Sequence, residues 1–165
     1  MRKLIKDSVL SENNWRILRT AEECQQADLA QGNYILPLPE FEAFAKDTKG
    51  TSLNAVWIST DNESSTLETI LDKTPLVCID FPAFTDGRGF SIARSLRETY
   101  DYQGEIRAIG NFIQDQLFYL ARCGVNSFEL SEDIDVESAL ESLEDFSVKY
   151  QAAIDEPQPL FRRRN

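Results

Sequence analysis

The stretch LVCIDFPAFTDGRGFSIARSLRE, residues 76–98, holds three kinds of chain in 23 positions. Leu76–Phe81 is apolar except for Asp80 and has the length of a strand. Pro82, Asp86-Gly87 and Gly89 are turn formers. From there on, Ile92, Ala93, Leu96 and Tyr100 share one face of a 3.6-residue helix. Strand, loop and helix in that order make one βα unit.

The pattern repeats outward. Strand-like runs at Tyr34–Leu38, Ala55–Ser59, Ile106–Ile109 and Ser127–Leu130 are each followed by a helical pattern, and the five starts lie 21 to 30 residues apart. Ser65 and Glu68 have the spacing of a capping box before Leu67, Ile70 and Leu71. Ile113, Leu117, Leu120 and Ala121 line another helix, with Gly124 placed to end it. Val136, Ala139, Leu140, Leu143 and Tyr150 line a third. Strands alternating with helices predict parallel strands joined by right-handed crossovers.

The runs lack the polar alternation of a half-wet sheet, which predicts strands covered on both faces. The expected fold is therefore α/β, with about five βα units in a mainly parallel, helix-covered sheet. An open doubly wound sheet is favoured over part of a β/α barrel, because eight strands of a barrel usually need about 200 or more residues. Residues 1–20 read as a short β lead-in, with Leu4-Ile5 and Trp15–Ile17 as two antiparallel strands. One domain spans 1–165, with 151–165 as an extended tail.

Charge and composition exclude several functions. The net charge of −11 repels nucleic acid and anionic lipid, so neither is an expected partner. No apolar run approaches the roughly 18 residues of a membrane span. The basic start MRKLIKDSVL is broken by Lys6 and Asp7 and lacks a signal-peptide core, so the expected location is the cytoplasm. The chain has no histidine and only Cys24, Cys78 and Cys123, far apart. Histidine-based metal sites, histidine general bases and a four-cysteine cluster within one chain are excluded. No metal or cofactor is expected. Cys78 and Cys123 read as buried, inert thiols.

The loop after Leu76–Phe81 is the strongest candidate site. In open α/β sheets ligands collect at the carboxyl ends of strands. There the start of the next helix offers unpaired N–H groups and the positive end of its dipole. Thr85, Asp86, Gly87, Arg88, Gly89 and Ser91 are the candidate anion-binding residues, for sulfate, sulfite, phosphate or a carboxylate. The competing reading is a structural turn in which Arg88 pairs with Asp86 or Asp80. A dinucleotide fingerprint fails, because it requires glycine where Ile92 stands. Asp80 and Asp86 are candidate acid–base carboxylates, but no catalytic set is assigned and the residues fix no reaction. Asn111 and Gln114 read as a capping pair, and Asp115 and Gln116 as neighbours of the same mouth. From Cys123 to Val148 there are eight acidic residues and no lysine or arginine. This acidic segment suits a solvated surface or docking to a basic partner, and Phe161–Arg164 forms a basic opposite pole.

Four segments, DFPAFTDGRGFSIARSLRE, GEIRAIG, DQLFYLARCG and QPLFRRR, closely resemble a bacterial family described as domain of unknown function 934, over roughly residues 15 to 164. Members are labelled oxidoreductases of sulfite reduction because their genes sit beside assimilatory sulfite and sulfate reduction genes. With that setting from the resemblance, the acidic segment and the lack of cofactor motifs favour an accessory protein of that process, docking to sulfite reductase or a related enzyme, with the 85–91 loop, as read from its residues, holding an oxyanion. The alternatives are an oxidoreductase with an atypical cofactor site and an enzyme acting on a phosphorylated or anionic metabolite. The family supplies no catalytic residues to carry over.

Overall fold

The structure is a computed structural model that describes residues 2–144 apart from 48, 50 and 51. The described residues form an eight-stranded sheet. Strands β1 (Lys3–Lys6) and β2 (Val9–Ser11) make an antiparallel hairpin. Strands β3 (Arg16–Ile17), β4 (Tyr34–Pro37), β5 (Ala55–Ser59), β6 (Leu76–Phe81), β7 (Glu105–Gly110) and β8 (Ser127–Leu130) run parallel. Helix α1 (Ala21–Gln26) follows β3, α2 (Leu38–Ala45) follows β4 and α3 (Arg88–Glu98) follows β6; α4 (Leu117–Arg122) and α5 (Val136–Glu144) follow β7 and β8.

The sheet is not doubly wound. Its order is β2-β1-β8-β7-β6-β5-β4-β3, so the parallel strands follow one another without reversal. Right-handed crossovers that always step the same way place every helix on the same face. The side chains agree. Cys24, Phe41, Ile92, Leu96, Leu120 and Ala139, from all five helices, share one core with Leu36, Val56, Ile58, Val77, Ile79 and Phe81. The other face buries Ile35, Ala55, Leu76, Cys78 and Ile109, packed by Trp15, Ile17 and Trp57 with no helix among them. The strands are covered on both faces, as their composition requires, but the second cover is the sheet's own curl.

The curl follows from chain length. Strands β2 and β3 occupy opposite edges, and at about 4.8 Å per strand a flat sheet would hold them roughly 34 Å apart. The five steps from Ser11 to Arg16 reach at most about 18 Å. The sheet therefore bends into a half-barrel, with residues 12–15 strapped across its concave side. Asn13 is the buckle. Its Oδ1 accepts from Arg107 Nη1 and from the Trp15 backbone N–H, each at 3.1 Å, and its Nδ2 donates to Glu129 Oε2 at 3.1 Å.

Arg107 is buried inside the curl, with Nε and Nη2 donating to Glu105 Oε1 at 2.9 and 2.7 Å. Lys6 pairs with the other carboxylate oxygen at 2.7 Å, and Arg2 reaches Glu129 at 3.4 Å. Burial alone would raise the pKa of Glu105, but Arg107 and then Lys6 bring it below the ordinary carboxylate value. The Ser127 hydroxyl adds to that effect while lying outside strict hydrogen-bond geometry.

Two local expectations also fail. Leu4-Ile5 pairs with Val9–Ser11 and with β8, whereas Arg16–Ile17 is a parallel strand at the far edge. Ser65 caps no α-helix. Ser64–Leu67 is a short 3-10 turn led by Glu63, which still buries Leu67 and leaves Ile70 in the core. The tail at 151–165, Tyr150, and the basic Phe161–Arg164 lie outside the described residues.

Replacing Arg107 by alanine leaves Glu105 buried with only Lys6 to offset it, and should lower unfolding free energy by about 3–5 kcal/mol. Asn13→Ala, which loosens the strap without orphaning a charge, should lower it by about 1–3 kcal/mol. Urea denaturation reads both. If Arg107→Ala is no less stable than the exposed Arg94→Ala, the network does not hold the closure.

Candidate functional site

The carboxyl ends of the parallel strands form a rim on which each strand hands over to polar residues. Arg19 follows β3, Thr60 and Asp61 follow β5, Asp80 is the last residue but one of β6, and Asn111 follows β7. These residues make two charged groups on either side of the sheet.

The outer group centres on Asp86. A backbone bond from Asp86 N–H to the Ala83 carbonyl folds the loop, and Asp86 Oδ1 then accepts the Arg88 backbone N–H at 3.1 Å, at the start of α3. Arg88 Nε donates to the same oxygen at 2.9 Å, and Nη2 donates to Oδ2 at 2.6 Å. The buried Thr60 hydroxyl also donates to Oδ2, at 2.6 Å. The remaining end of the guanidinium, Nη1, meets Asp61 Oδ1 at 2.5 Å. The Arg88 hydrogen bonds first, and then Thr60, hold the Asp86 carboxyl well below the ordinary carboxylate range.

The inner group lies on the concave side. Asp80 pairs with Arg19, not with Arg88. The Arg19 guanidinium also lies over the Trp57 ring, 5.0 Å from its centroid, and Trp57 Nε1 donates to the Leu18 carbonyl at 2.9 Å. Strands β3, β5 and β6 thus meet through one cation, one indole and one carboxylate. Gly110, at φ +90°, completes the fit, since a Cβ there would collide with Asp80 Oδ1 and the Phe81 carbonyl.

The remaining candidates have separate places. Thr85 and Ser91 are exposed on either side of the turn. Gly87 has a negative φ and open space around it. Gly89 is pressed against the Phe81 ring, where any side chain would clash, so its lack of a Cβ serves the packing of α3 on β6. Asn111 and Gln114 are not a capping pair. Asn111 Nδ2 donates to the Pro82 carbonyl at 3.0 Å, and Gln114 Nε2 reaches Ser142 Oγ at 2.8 Å. The turn before α4 is closed by Gln116, whose Oε1 accepts the Ile113 N–H at 3.2 Å and whose Nε2 donates to the Phe84 carbonyl at 2.7 Å. Asp115 faces solvent.

All three cysteines are buried and none forms a disulfide, and desolvation raises the thiol pKa of Cys78 and Cys24. Within the acidic segment, Glu129 is buried against Asn13, and Asp135 caps α5 by accepting the Ser138 N–H at 2.9 Å. Glu132, Asp133, Glu137, Glu141 and Glu144 are exposed. Among the described residues, no helix is long and apolar enough to cross a membrane.

Sequence reasoning did not single out Arg19, Thr60 or Asp61, the partners of Asp80, Asp86 and Arg88. The signal available was position: each stands within two residues of the end of a strand, where βα folds place functional side chains.

A family model described as "Bacterial protein of unknown function (DUF934)" matches residues 55–161. Thr60, Asp61 and the whole 80–91 loop fall inside that range, while Arg19 and the strap fall before it. No curated protein and no solved structure matches the chain.

Because Asp86 is more acidic in the folded state than its ordinary value of 3.8, its contribution to stability is constant above that value and declines as pH falls below about 4, where the unfolded chain takes up the proton first. Asp86→Asn should melt a few degrees below wild type at pH 7, and the gap should narrow as pH falls from 4 toward 2. Calorimetry across that range checks it. A gap indifferent to pH would mean that the charge of Asp86 does not stabilise the loop.

Proposed function

The chain belongs to this bacterial family of unknown function, DUF934, and we propose that it is an accessory protein of assimilatory sulfate and sulfite reduction, docking to a sulfite-reduction enzyme and holding an oxyanion at the 85–91 loop. The metabolic setting comes from the family resemblance. The observation that carries the site is the asymmetric anchoring of Arg88. Its inner side is fixed by Asp86, whose side chain is only 12% exposed and is also held by Thr60. Its outer end meets Asp61, with the arginine 57% and the aspartate 78% exposed. Ion pairs this exposed contribute little and are readily screened. A ligand oxyanion can displace Asp61 and take a guanidinium already held in position. Thr85 and Ser91 flank it with hydroxyls. The burial of all three thiols favours an accessory role over thiol chemistry.

A melting screen against sulfate, sulfite and phosphate tests the anion site, since a ligand that binds only the folded state raises the melting temperature. Wild type should be stabilised, Arg88→Ala should lose the effect and Arg88→Lys should recover only part of it. Asp61→Asn, by freeing the outer end of Arg88, should strengthen anion binding several-fold. If Asp61→Asn responds no more than wild type, or no anion stabilises wild type above Arg88→Ala, the loop is a structural turn. Docking is tested by association kinetics with the purified sulfite-reduction enzyme, which should slow as salt rises above about 0.1 M.

A further inference from the structure

Among the described residues, three of the large apolar side chains left open to solvent stand on segments that meet beside the rim: Phe84 at 53%, Ile113 at 41% and Tyr119 at 58% exposure. They come from the loop after β6, the turn before α4 and α4 itself. Gln116 joins the first two, because its side chain bonds the Phe84 carbonyl and the Ile113 N–H at once. Tyr119 lies one turn beyond Gln116, its ring 5.3 Å from Phe90, which in turn meets the core ring of Phe81 at 5.8 Å. Tyr119 is thus supported by the partly buried Phe90 on the buried Phe81, and Phe84 and Ile113 are fixed by the Gln116 amide, so little ordering is needed when something covers the face.

We infer that this face is where a protein partner docks, and that the partner's surface is basic around an apolar centre. The inference rests on the docking role proposed above. Aromatic side chains standing on a rigid support are the residues that dominate protein interfaces, and clustered exposed apolar groups mark such sites. The charge at the border selects the partner. Asp115 is exposed between Ile113 and Tyr119. Gln114 grips the Ser138–Ser142 turn of α5, which carries the exposed Glu137 and Glu141. Of the cations near the face, Arg88 is matched by two aspartates and Arg94 by Glu98, while Arg122 lies over the Phe118 ring. A second copy of this chain would bring −11 against −11, and is repelled.

The test measures binding of the full-length protein to the purified sulfite-reduction enzyme, with Phe84→Ser, Ile113→Ser and Tyr119→Ser against two controls. The controls are Val9→Ser and Leu10→Ser on the β1–β2 hairpin, which are equally exposed but belong to another edge of the molecule. Melting temperatures confirm that each variant is folded. Phe84→Ser and Tyr119→Ser should each weaken binding by about tenfold or more, mainly through faster dissociation, with the hairpin variants unchanged. Neutralising Asp115 with Glu137 and Glu141 should lower the association rate. If wild type binds and the face variants bind equally well, the inference falls and the docking role stands. If wild type does not bind the enzyme at any ionic strength, the docking role falls and takes the inference with it. If sedimentation shows self-association that Tyr119→Ser abolishes, the occupant is a second copy and the basic-partner assignment is wrong.

Discussion

Residues 12–15 are too short to let the two edges of the sheet lie apart, and most of the architecture follows from that. The strap forces the curl, and the curl creates an interior where a flat sheet would have had a second layer of helices. That interior takes Cys78, Ile35 and Leu76 out of water. It also takes in Arg107 and Glu105, which are tolerable there only because each satisfies the other and Asn13 completes the set. The strap's own asparagine is thus a member of the network that its tightness makes necessary.

Similar ion pairs do different work at two depths. Inside the curl, the Glu105–Arg107 pair is shielded from solvent, so losing one partner strands the other. On the rim, Arg88 and Asp61 meet in water, and their separation leaves both groups well hydrated. The pair between Asp86 and Arg88 is intermediate, with the carboxylate sheltered by Thr60 and the arginine open. This gradient leaves one end of Arg88 sheltered and the other open to solvent. Phe84 is tied to the turn before α4, after β7, whereas Asp61 stands on the β5 flank of the same loop.

The strands were legible because burial on both faces leaves an unbroken apolar run. Ala55–Ser59, Leu76–Phe81 and Ser127–Leu130 are read to the residue. The direction of winding was not legible. Ile35 and Cys78 look alike whether helices or a curl cover them, and only the length of the link from Ser11 to Arg16 distinguishes the two. Ser65 carried a capping signal, but the segment up to Pro75 folds as short turns that bury Leu67 and Ile70 without a full helix. At the site, the contact between Asp86 and Arg88 was readable from their spacing of two. Asp61 and Arg19 were not, because their partners lie 27 and 61 residues away.

The hairpin that starts the chain is held by the strand made last among the eight. Residues 3–6 pair with residues 127–130, so at a synthesis rate of about 5–20 residues per second the first strand waits on the order of ten seconds for its neighbour. During that interval β1 has only β2 beside it, the strap has nothing to close against, and Glu105 and Arg107 have yet to be buried. The barrel-like interior cannot form piecemeal from the amino end, as a stack of independent βα units could. A nascent chain of this protein carries an open sheet edge along β1, with Leu4 and Ile5 still uncovered, until β8 has left the ribosome.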